Sequence, residues 1–268
     1  ITIPRDDENK FELEKFYKNV LKPMGADAVI LPNPVISVSS TFIRDNLDEF
    51  DLISGMLDKS VYDYIIKNNL YRKLNISDYK KIIRERMGDY RFSHSVNVAK
   101  EAKKLAKHYG ADENKAEIAG ILHDITKEMP KEQQLQIIID SGIILDNVQL
   151  HAPKLWHGMS GSIVVRDELG IDDEDILNAI RYHTTGRAGM SLLEKVIFTA
   201  DFTSEERTYS GVATMRKKSK KSLEEAMLYG YQFTFKDLSK RQLAIHPDEV
   251  ACYNEIVLQI SQTKGKNK

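Results

Sequence analysis

The feature that most constrains the fold is a helical periodicity of apolar residues, which continues from about residue 75 almost to the end of the chain. Apolar residues recur there at three- and four-residue spacing, the pattern of helices with one buried face. Glycines 110, 142, 170 and 186 end successive segments. The pattern predicts helices over about residues 77–87, 93–109, 112–126, 131–141, 153–169, 173–183, 192–203, 212–243 and 247–260. We therefore expect a mainly α-helical domain over residues 74–268.

The first 73 residues have a different character. A predicted helix over residues 11–21 leads through Gly25 to the apolar run "AVILP" and then to "NPVISVSSTFIRDNL", with prolines marking the loops. Short apolar runs between helical and proline-marked segments are typical of α/β structure. The prediction for residues 1–73 is a small, partial α/β segment.

Composition excludes several classes of protein. The 39 basic and 40 acidic residues nearly cancel, which argues against nucleic acid or a membrane surface as a partner chosen by bulk charge. No apolar run approaches the ~20 residues of a membrane-spanning helix. The single cysteine, Cys252, excludes an intramolecular disulfide framework and suits a reducing compartment. We expect a cytoplasmic protein.

The segment "GILHDITKEM" places His123 and Asp124 at the edge of an apolar helix face. A half-buried carboxylate there costs several kcal/mol unless it is paired, hydrogen-bonded or bound to a metal. His94, His183 and Asp201 also fall in step with apolar helix positions, and His157 lies in "KLWHGMSG", where Gly158 and Gly161 would permit close approach of another element.

A single histidine on an apolar face is more often a hydrogen-bonded core residue than a ligand. The ordered series of histidines and aspartates, distributed over separate predicted helices, is much harder to obtain by chance. Imidazole and carboxylate groups bind Zn, Mn, Fe and Co, and six candidate ligands exceed the need of one catalytic ion. The six residues are His94, His123, Asp124, His157, His183 and Asp201, and we infer two metal ions from them.

The wider motifs identify a family resemblance. "RFSHSVNVAKEAKKLA", "AGILHDITK", "WHGMSG" and "AIRYHTTGRAGMSLLEKVIFTADF" resemble the YqeK subgroup of HD-domain metal phosphohydrolases, over about residues 76–262. The resemblance implies an HD-domain helical bundle and a diiron hydrolase that splits diadenosine tetraphosphate into two ADP. It implies two divalent or mixed-valence ions, with iron expected and Mn, Co or Zn as alternatives. Where the family often has "IEPNR", this chain has "TSEER".

The resemblance also implies roles for individual residues. His94, His123, Asp124 and Asp201 would hold one metal, Asp124 would bridge, and His157 and His183 would hold the second. A bridging hydroxide would attack phosphorus, because metal ions lower the pKa of bound water towards ~7.

Two cations could stabilise the charge that develops on the transferred phosphate. Lys127 lies one helical turn beyond His123, and Arg187 follows His183 in "HTTGR". We predict that both contact substrate phosphate and act in catalysis beside Asp124; the alternative is that both are solvated surface residues. His108, His151 and His246 are predicted to have no catalytic role, and the basic run "MRKKSKKS" (215–222) to be a solvated helix face.

The N-terminal segment resembles a second family. "VSSTFIRDNL" and "SVYDYIIKNNLY" are similar to the C-terminal portion of bacterial nicotinate-mononucleotide adenylyltransferases, and the resemblance implies ATP-phosphate contacts from Ser40, Thr41 and Arg44. The alternative is a simple Ser/Thr helix cap. The family's "H-x-G-H" element is missing from this chain, which begins at Ile1. We expect a truncated fusion with an upstream adenylyltransferase domain, inactive as a transferase.

Three functions remain open at this point. The first is hydrolysis of a dinucleoside polyphosphate substrate. The second is hydrolysis of another nucleotide by the same scaffold, such as a deoxynucleotide or a cyclic dinucleotide, although the "GYP" element of the latter enzymes is missing. The third is a metal-stabilised regulatory module that binds nucleotide and governs a fused adenylyltransferase. A homodimer is compatible with each.

Overall fold

The structure, a computed structural model, describes residues 7–30, 38–68, 70–71 and 74–265. The chain forms two compact units, Ile1–Lys73 and Leu74–Lys268. Helices and loops make up the described residues of both units, and no β-strand occurs among them.

The described residues of the N-terminal unit contain four short α-helices, of which the last three contribute to a small apolar cluster. They are α1 (Asp7–Phe16), α2 (Ser40–Asp45), α3 (Phe50–Ile53) and α4 (Lys59–Lys67), and α1 continues into a π-helical turn (Tyr17–Leu21) and a 3-10 turn (Lys22–Met24). Ile43, Leu47, Ile53 and Ile65 form the buried cluster. The expected α/β segment has no support in these residues; positions 31–37, which include the end of "AVILP", lie outside the described part.

The C-terminal unit contains eleven helices among its described residues. They are α5 (Ile76–Arg86), α6 (Asp89–Tyr109), α7 (Glu113–Leu122), α8 (Lys131–Asp140), α9 (Asn147–Leu150), α10 (Trp156–Asp167), α11 (Glu174–Arg181), α12 (Leu192–Thr203), α13 (Val212–Ser219), α14 (Leu223–Lys240) and α15 (Pro247–Gly265). None of the described helices is both long and apolar enough to cross a membrane.

The long helix predicted over residues 212–243 is wrong, because the chain breaks between α13 and α14. Ser222 adopts an extended backbone conformation, and its side-chain oxygen accepts a hydrogen bond from the backbone N–H of Glu225. A serine that caps a helix in this way competes with continuation of the preceding helix. Apolar periodicity passes through such a break unchanged, so it does not reveal the cap.

The main core lies where α6, α7, α11 and α12 meet, and its fully buried residues include Val98, Ile121, Ile180 and Val196. Helices α6 and α7 approach each other closely at Gly120. A Cβ atom on Gly120 would stand 2.6 Å from Cα of Ala99, so only glycine permits this spacing. The approach brings the imidazole rings of His94 and His123 to 5.2 Å between centroids.

Candidate metal centre

Three histidines are oriented by backbone carbonyls of their own segments. His123 Nδ1 lies 2.7 Å from Gly120 O, His157 Nδ1 lies 2.8 Å from Lys154 O, and His183 Nδ1 lies 2.7 Å from Ile180 O. A carbonyl only accepts, so each Nδ1 carries the proton and donates it. Each Nε2 therefore presents a lone pair, which is the form in which imidazole binds metal ions.

The fourth histidine, His94, is oriented by a carboxylate. Its Nδ1 hydrogen bonds to Glu206, which also accepts from Asn97 Nδ2 at 2.9 Å and from Ser204 Oγ at 2.7 Å. A carboxylate behind a metal-binding histidine fixes the ring and raises its basicity. His94 Nε2 faces Asp201 Oδ1 at 3.0 Å on the other side of the ring.

Asp124 lies at the centre of the cluster, with each carboxylate oxygen facing two imidazoles. Oδ1 is 3.2 Å from His157 Nε2 and 3.6 Å from His183 Nε2. Oδ2 is 3.5 Å from His123 Nε2 and 3.8 Å from His94 Nε2. One carboxylate therefore lies between two pairs of histidines.

Buried side-chain atoms without a hydrogen-bond partner indicate that the cluster fits metal ions. Within the described chain, His123 Nε2 and Asp124 Oδ1 are buried and form no hydrogen bond. His157 Nε2 and His183 Nε2, both lone-pair atoms, face each other at 3.1 Å. Buried acceptors that lack a donor are unfavourable, and a cation beside His123 Nε2 and Asp124 Oδ1 would satisfy both. Ligand atoms of His94, His123 and Asp201, and likewise of His123, Asp124 and His183, lie within 4.8 Å of one another.

Three cationic side chains also contact these groups. Arg91 Nη1 donates to Asp124 Oδ2 at 2.7 Å, and Arg207 Nη2 donates to Asp201 Oδ1. Lys127 Nζ lies 2.9 Å from His157 Nε2, and burial lowers the pKa of Lys127 below its ordinary value. Lys127 thus lies at the cluster, and its predicted contact with substrate phosphate stays a prediction.

The electrostatics of the cluster favour ionised carboxylates and neutral imidazole. Burial opposes ionisation of Asp201, yet its contact with His94 and the guanidinium of Arg207 hold the pKa of that carboxyl well below its ordinary value. Burial lowers the pKa of His157 to about 3. Deprotonated carboxylates and neutral imidazoles are the protonation states that bind metal.

Arg187 lies in a different environment from Lys127. Its guanidinium forms two hydrogen bonds with Glu194, at 2.7 and 3.0 Å, and stands 5.0 Å from the ring centroid of Tyr182. No contact between Arg187 and the six candidate ligands occurs in the described residues. Its predicted contact with substrate phosphate stays a prediction.

The remaining predicted site residues belong to the N-terminal unit. In the N-terminal unit Ser39, rather than Ser40, caps α2 by accepting from the N–H of Phe42 at 3.2 Å, and Arg44 Nη2 lies 3.5 Å from Thr41 Oγ1. The phosphate role of Ser40, Thr41 and Arg44 stays a prediction.

The basic run over residues 215–222 was predicted to be a solvated helix face, and Arg216 departs from that prediction. Its guanidinium donates to four backbone carbonyls, those of Thr203, Ser204, Glu205 and Arg207. It therefore holds the loop after α12 and is not a solvated side chain.

Arg91, Glu206 and Arg207 were missed by the sequence reasoning. Arg91 lies three residues before His94 on the same helix, a spacing that places both on one face and could have identified it. Glu206 and Arg207 belong to the "TSEER" loop, whose departure from the family pattern is the only signal in the sequence.

Comparison with known proteins agrees with this geometry. Residues 91–206 match the HD domain family. The chain is 40% identical over 187 residues to the "Bis(5'-nucleosyl)-tetraphosphatase, symmetrical" of Bacillus subtilis (strain 168), a match that covers 69% of this chain and 98% of that protein. The chain belongs to the YqeK-type family of HD-domain hydrolases.

Two further similarities extend the comparison within the HD-domain family. A predicted HD superfamily hydrolase of known structure from Clostridium acetobutylicum, described as involved in NAD metabolism, has a TM-score of 0.68 and 34% identity, covering 69% of this chain and 98% of that one. A Mycoplasma genitalium protein named "Probable nicotinate-nucleotide adenylyltransferase/Ap4A hydrolase" is 29% identical over 179 residues, 65% of this chain and 48% of that protein. The mainly helical HD-domain fold predicted from the sequence is confirmed.

Proposed function

We propose that the C-terminal unit is a dinuclear metal hydrolase that cleaves diadenosine tetraphosphate at its centre to give two ADP. The position of Asp124, with one oxygen facing His157 and His183 and the other facing His94 and His123, carries the proposal. The choice of substrate rests on the name of the relative from Bacillus subtilis, which is a symmetrical tetraphosphatase.

Each ion would have its own ligands. His94, His123 and Asp201 would hold one ion, His157 and His183 the other, and Asp124 would bridge. Imidazole and carboxylate suit iron, which we take as the resident metal, with Mn, Co or Zn as alternatives. When bound, such ions supply Lewis acidity and a coordinated water that ionises near neutral pH.

The protein's own cations would stabilise charge on the phosphate chain. Lys127 Nζ is at the cluster and has three donors on a mobile stem, so it can turn from His157 to a phosphate oxygen. Arg91 and Arg207 hold the carboxylates and add positive charge beside the transferred group. Arg187, whose guanidinium is held by Glu194, would add a further contact to the phosphate chain.

Cleavage at the centre also agrees with the lack of an evident general acid. The expelled ADP leaves through a terminal phosphate of low basicity, so it needs no strong proton donor. Each of the four histidines in the cluster is held with its Nε2 towards a carboxylate or another Nε2. None of them is free to serve as that acid while it binds metal.

The test combines metal analysis with product chromatography on the purified full chain. We expect about two metal ions per chain and ADP as the sole nucleotide product from diadenosine tetraphosphate. AMP together with ATP would exclude central cleavage. No reaction would favour another nucleotide substrate or the regulatory function.

Variants test the assignment of the central pair. His123→Ala and Asp124→Ala should lose bound metal and nearly all hydrolysis while the helical content measured by circular dichroism is kept, because the apolar core lies outside the cluster. His108→Ala is the matched control, since this exposed histidine contacts the carbonyl of Lys220 and the ring of Tyr109 and none of the six candidate ligands among the described residues. Full metal content and near-normal turnover in either cluster variant would contradict the proposal.

A further inference from the structure

The loop over residues 204–211 joins α12 to α13 and contacts two candidate ligands of the same ion. Glu206 accepts a hydrogen bond from Nδ1 of His94. Arg207 donates to the carboxylate of Asp201 and, at 2.7 Å, to its backbone carbonyl. The first ion is the one assigned to His94, His123 and Asp201, and the second ion is the one assigned to His157 and His183. Among the described residues, no hydrogen bond or ion pair joins the loop to the histidines of the second ion.

The backbone of this loop is held by one side chain of α13, that of Arg216. Its guanidinium donates to four carbonyls at 2.9, 2.5, 3.2 and 3.2 Å, those of Thr203, Ser204, Glu205 and Arg207. The last carbonyls of a helix have no partner within the helix, and a cation there also meets the negative end of the helix dipole. Arg216 therefore satisfies the end of α12 and fixes the backbone on both sides of Glu206.

Arg216 itself is on a firmly packed helix. The preceding residue, Met215, is fully buried, and α13 packs against α12 and α14. At the end of α13, the backbone carbonyl of Ser219 accepts a hydrogen bond at 2.7 Å from the hydroxyl of Tyr109, the last residue of α6. The helix that carries Arg216 is thus tied to the helix that carries His94. The planar guanidinium, with its donors fixed relative to one another, can hold the loop in one conformation.

We propose that Arg216 is a positioning residue for the first ion and acts through the loop that carries Glu206 and Arg207; the inference rests on the proposed function, because it requires two ions. Without the guanidinium, four carbonyls lose their donor, and the loop is free to turn Glu206 away from His94. Loss of a group that orients a metal ligand lowers metal affinity about 10–100-fold. The second ion should keep its affinity, since its histidines have no contact with the loop among the described residues.

The test is a calorimetric titration of the metal-free full chain with Mn²⁺. This ion binds nitrogen and oxygen sites more weakly than the later first-row divalent ions, so a loss of affinity is readily measured. We expect wild type to take up two ions, and Arg216→Ala to bind one of them about 10–100-fold more weakly while the other is unchanged. Combined with His183→Ala, which removes a ligand of the second ion, Arg216→Ala should still weaken the remaining ion. Combined with His94→Ala, it should not.

Further variants separate this role from a general effect on folding. Lys217→Ala removes the exposed neighbouring cation and should leave both affinities unchanged. Arg216→Lys keeps a cation on the folded helix, but one ammonium cannot span four carbonyls, so the first ion should show an intermediate loss. Thermal unfolding shows which variants are folded. Because Arg216 acts through Glu206, Arg216→Ala together with Glu206→Gln should weaken the first ion by less than the product of the two single effects.

Three results would overturn the inference. They are an equal loss of affinity for both ions, an unchanged first ion in both Arg216 variants, and single effects of Arg216→Ala and Glu206→Gln that multiply in the double variant. Two ions in wild type together with any of these results leave the proposed function intact. Uptake of one ion or none by the wild-type chain contradicts the dinuclear centre itself.

Discussion

Glu206 accepts a hydrogen bond from Nδ1 of His94, and this contact joins the loop after α12 to a candidate ligand on α6. Burial disfavours the charged carboxylate, but the hydrogen bonds from His94 and Ser204 outweigh it and lower the pKa of Glu206 below its ordinary value. The ionised carboxylate holds the His94 ring with its Nε2 towards Asp201 and Asp124. Orientation of one ligand therefore depends on a residue 112 positions away.

Replacing Glu206 should weaken metal binding without removing a ligand. We expect Glu206→Gln to lower metal affinity about 10–100-fold, the usual effect of losing a carboxylate behind a metal-binding histidine. Metal competition titration measures the change. Glu205→Gln is the matched control, because Glu205 is exposed on the same loop. Equal metal affinity in both variants would show that Glu206 does not support the site.

Arg187 has a structural partner in addition to its predicted role. Arg187→Ala leaves Glu194, which is only 1% exposed, without its cation, and should lower the free energy of unfolding by about 2 kcal/mol. The double variant with Glu194→Gln should regain stability in thermal unfolding. We expect kcat/KM of that stable double variant to stay reduced by about 2–4 kcal/mol of transition-state stabilisation. Normal kcat/KM would leave Arg187 a structural role alone.

The sequence predicts that Gly158 and Gly161 both permit close approach of another element. In the structure only Gly158 does so. A Cβ atom on Gly158 would stand 2.6 Å from the carbonyl oxygen of Arg181, whereas one on Gly161 would meet Thr126 Oγ1 at an ordinary 3.5 Å. Gly158→Ala should force α10 away from α11 and lower stability by about 1–3 kcal/mol.

Gly161→Ala is the control for this pair. It should be neutral or stabilising by up to about 1 kcal/mol, because alanine favours a helix more than glycine does. Chemical unfolding of both variants measures the difference. His157 and His183 lie close in sequence to the two residues of this contact, Gly158 and Arg181. Gly158→Ala should therefore also reduce metal content. Similar stability of the two alanine variants would contradict the close contact.

Glu249 should make stability depend on pH. Burial raises its pKa to about 7 in the folded protein, from near 4.5 when unfolded, so the folded state holds the proton more tightly. The stabilisation is complete below about pH 4.5 and is lost as pH rises through about 7, a change of about 3 kcal/mol. The position of Glu249 in the first turn of α15 favours the anion, but by only about 0.3–1 kcal/mol.

The measurement compares wild type with Glu249→Gln at several pH values and constant metal concentration. The difference in free energy of unfolding should shift in favour of the variant as pH rises. Other titratable groups are common to both proteins and cancel in the difference. Those near Glu249 are Tyr231, His246 and Asp248, and those that line a cavity of about 400 Å³ with Glu249 are His151, Lys154, Asp201 and Arg241. A pH-independent difference would show that Glu249 is ionised throughout.

The sequence by itself determined most helices of the C-terminal unit and the helix faces on which His94 and Asp201 lie. Helical periodicity is a local property, and each of these residues is in step with apolar neighbours a few positions away. The N-terminal unit was harder to predict, because its short runs lack a sustained period, and the α/β expectation was not supported.

The tertiary structure decided which side chains from distant segments meet. Periodicity shows which face of a helix is buried, but the partner on that face depends on how two helices pack. Glu206 meets His94, Arg207 meets Asp201 and Arg187 turns to Glu194 because backbone spacing and loop conformation bring these atoms within hydrogen-bond distance. The burial that neutralises Glu249 likewise arises only when α15 packs beside the cavity, so no pattern in the chain could reveal it.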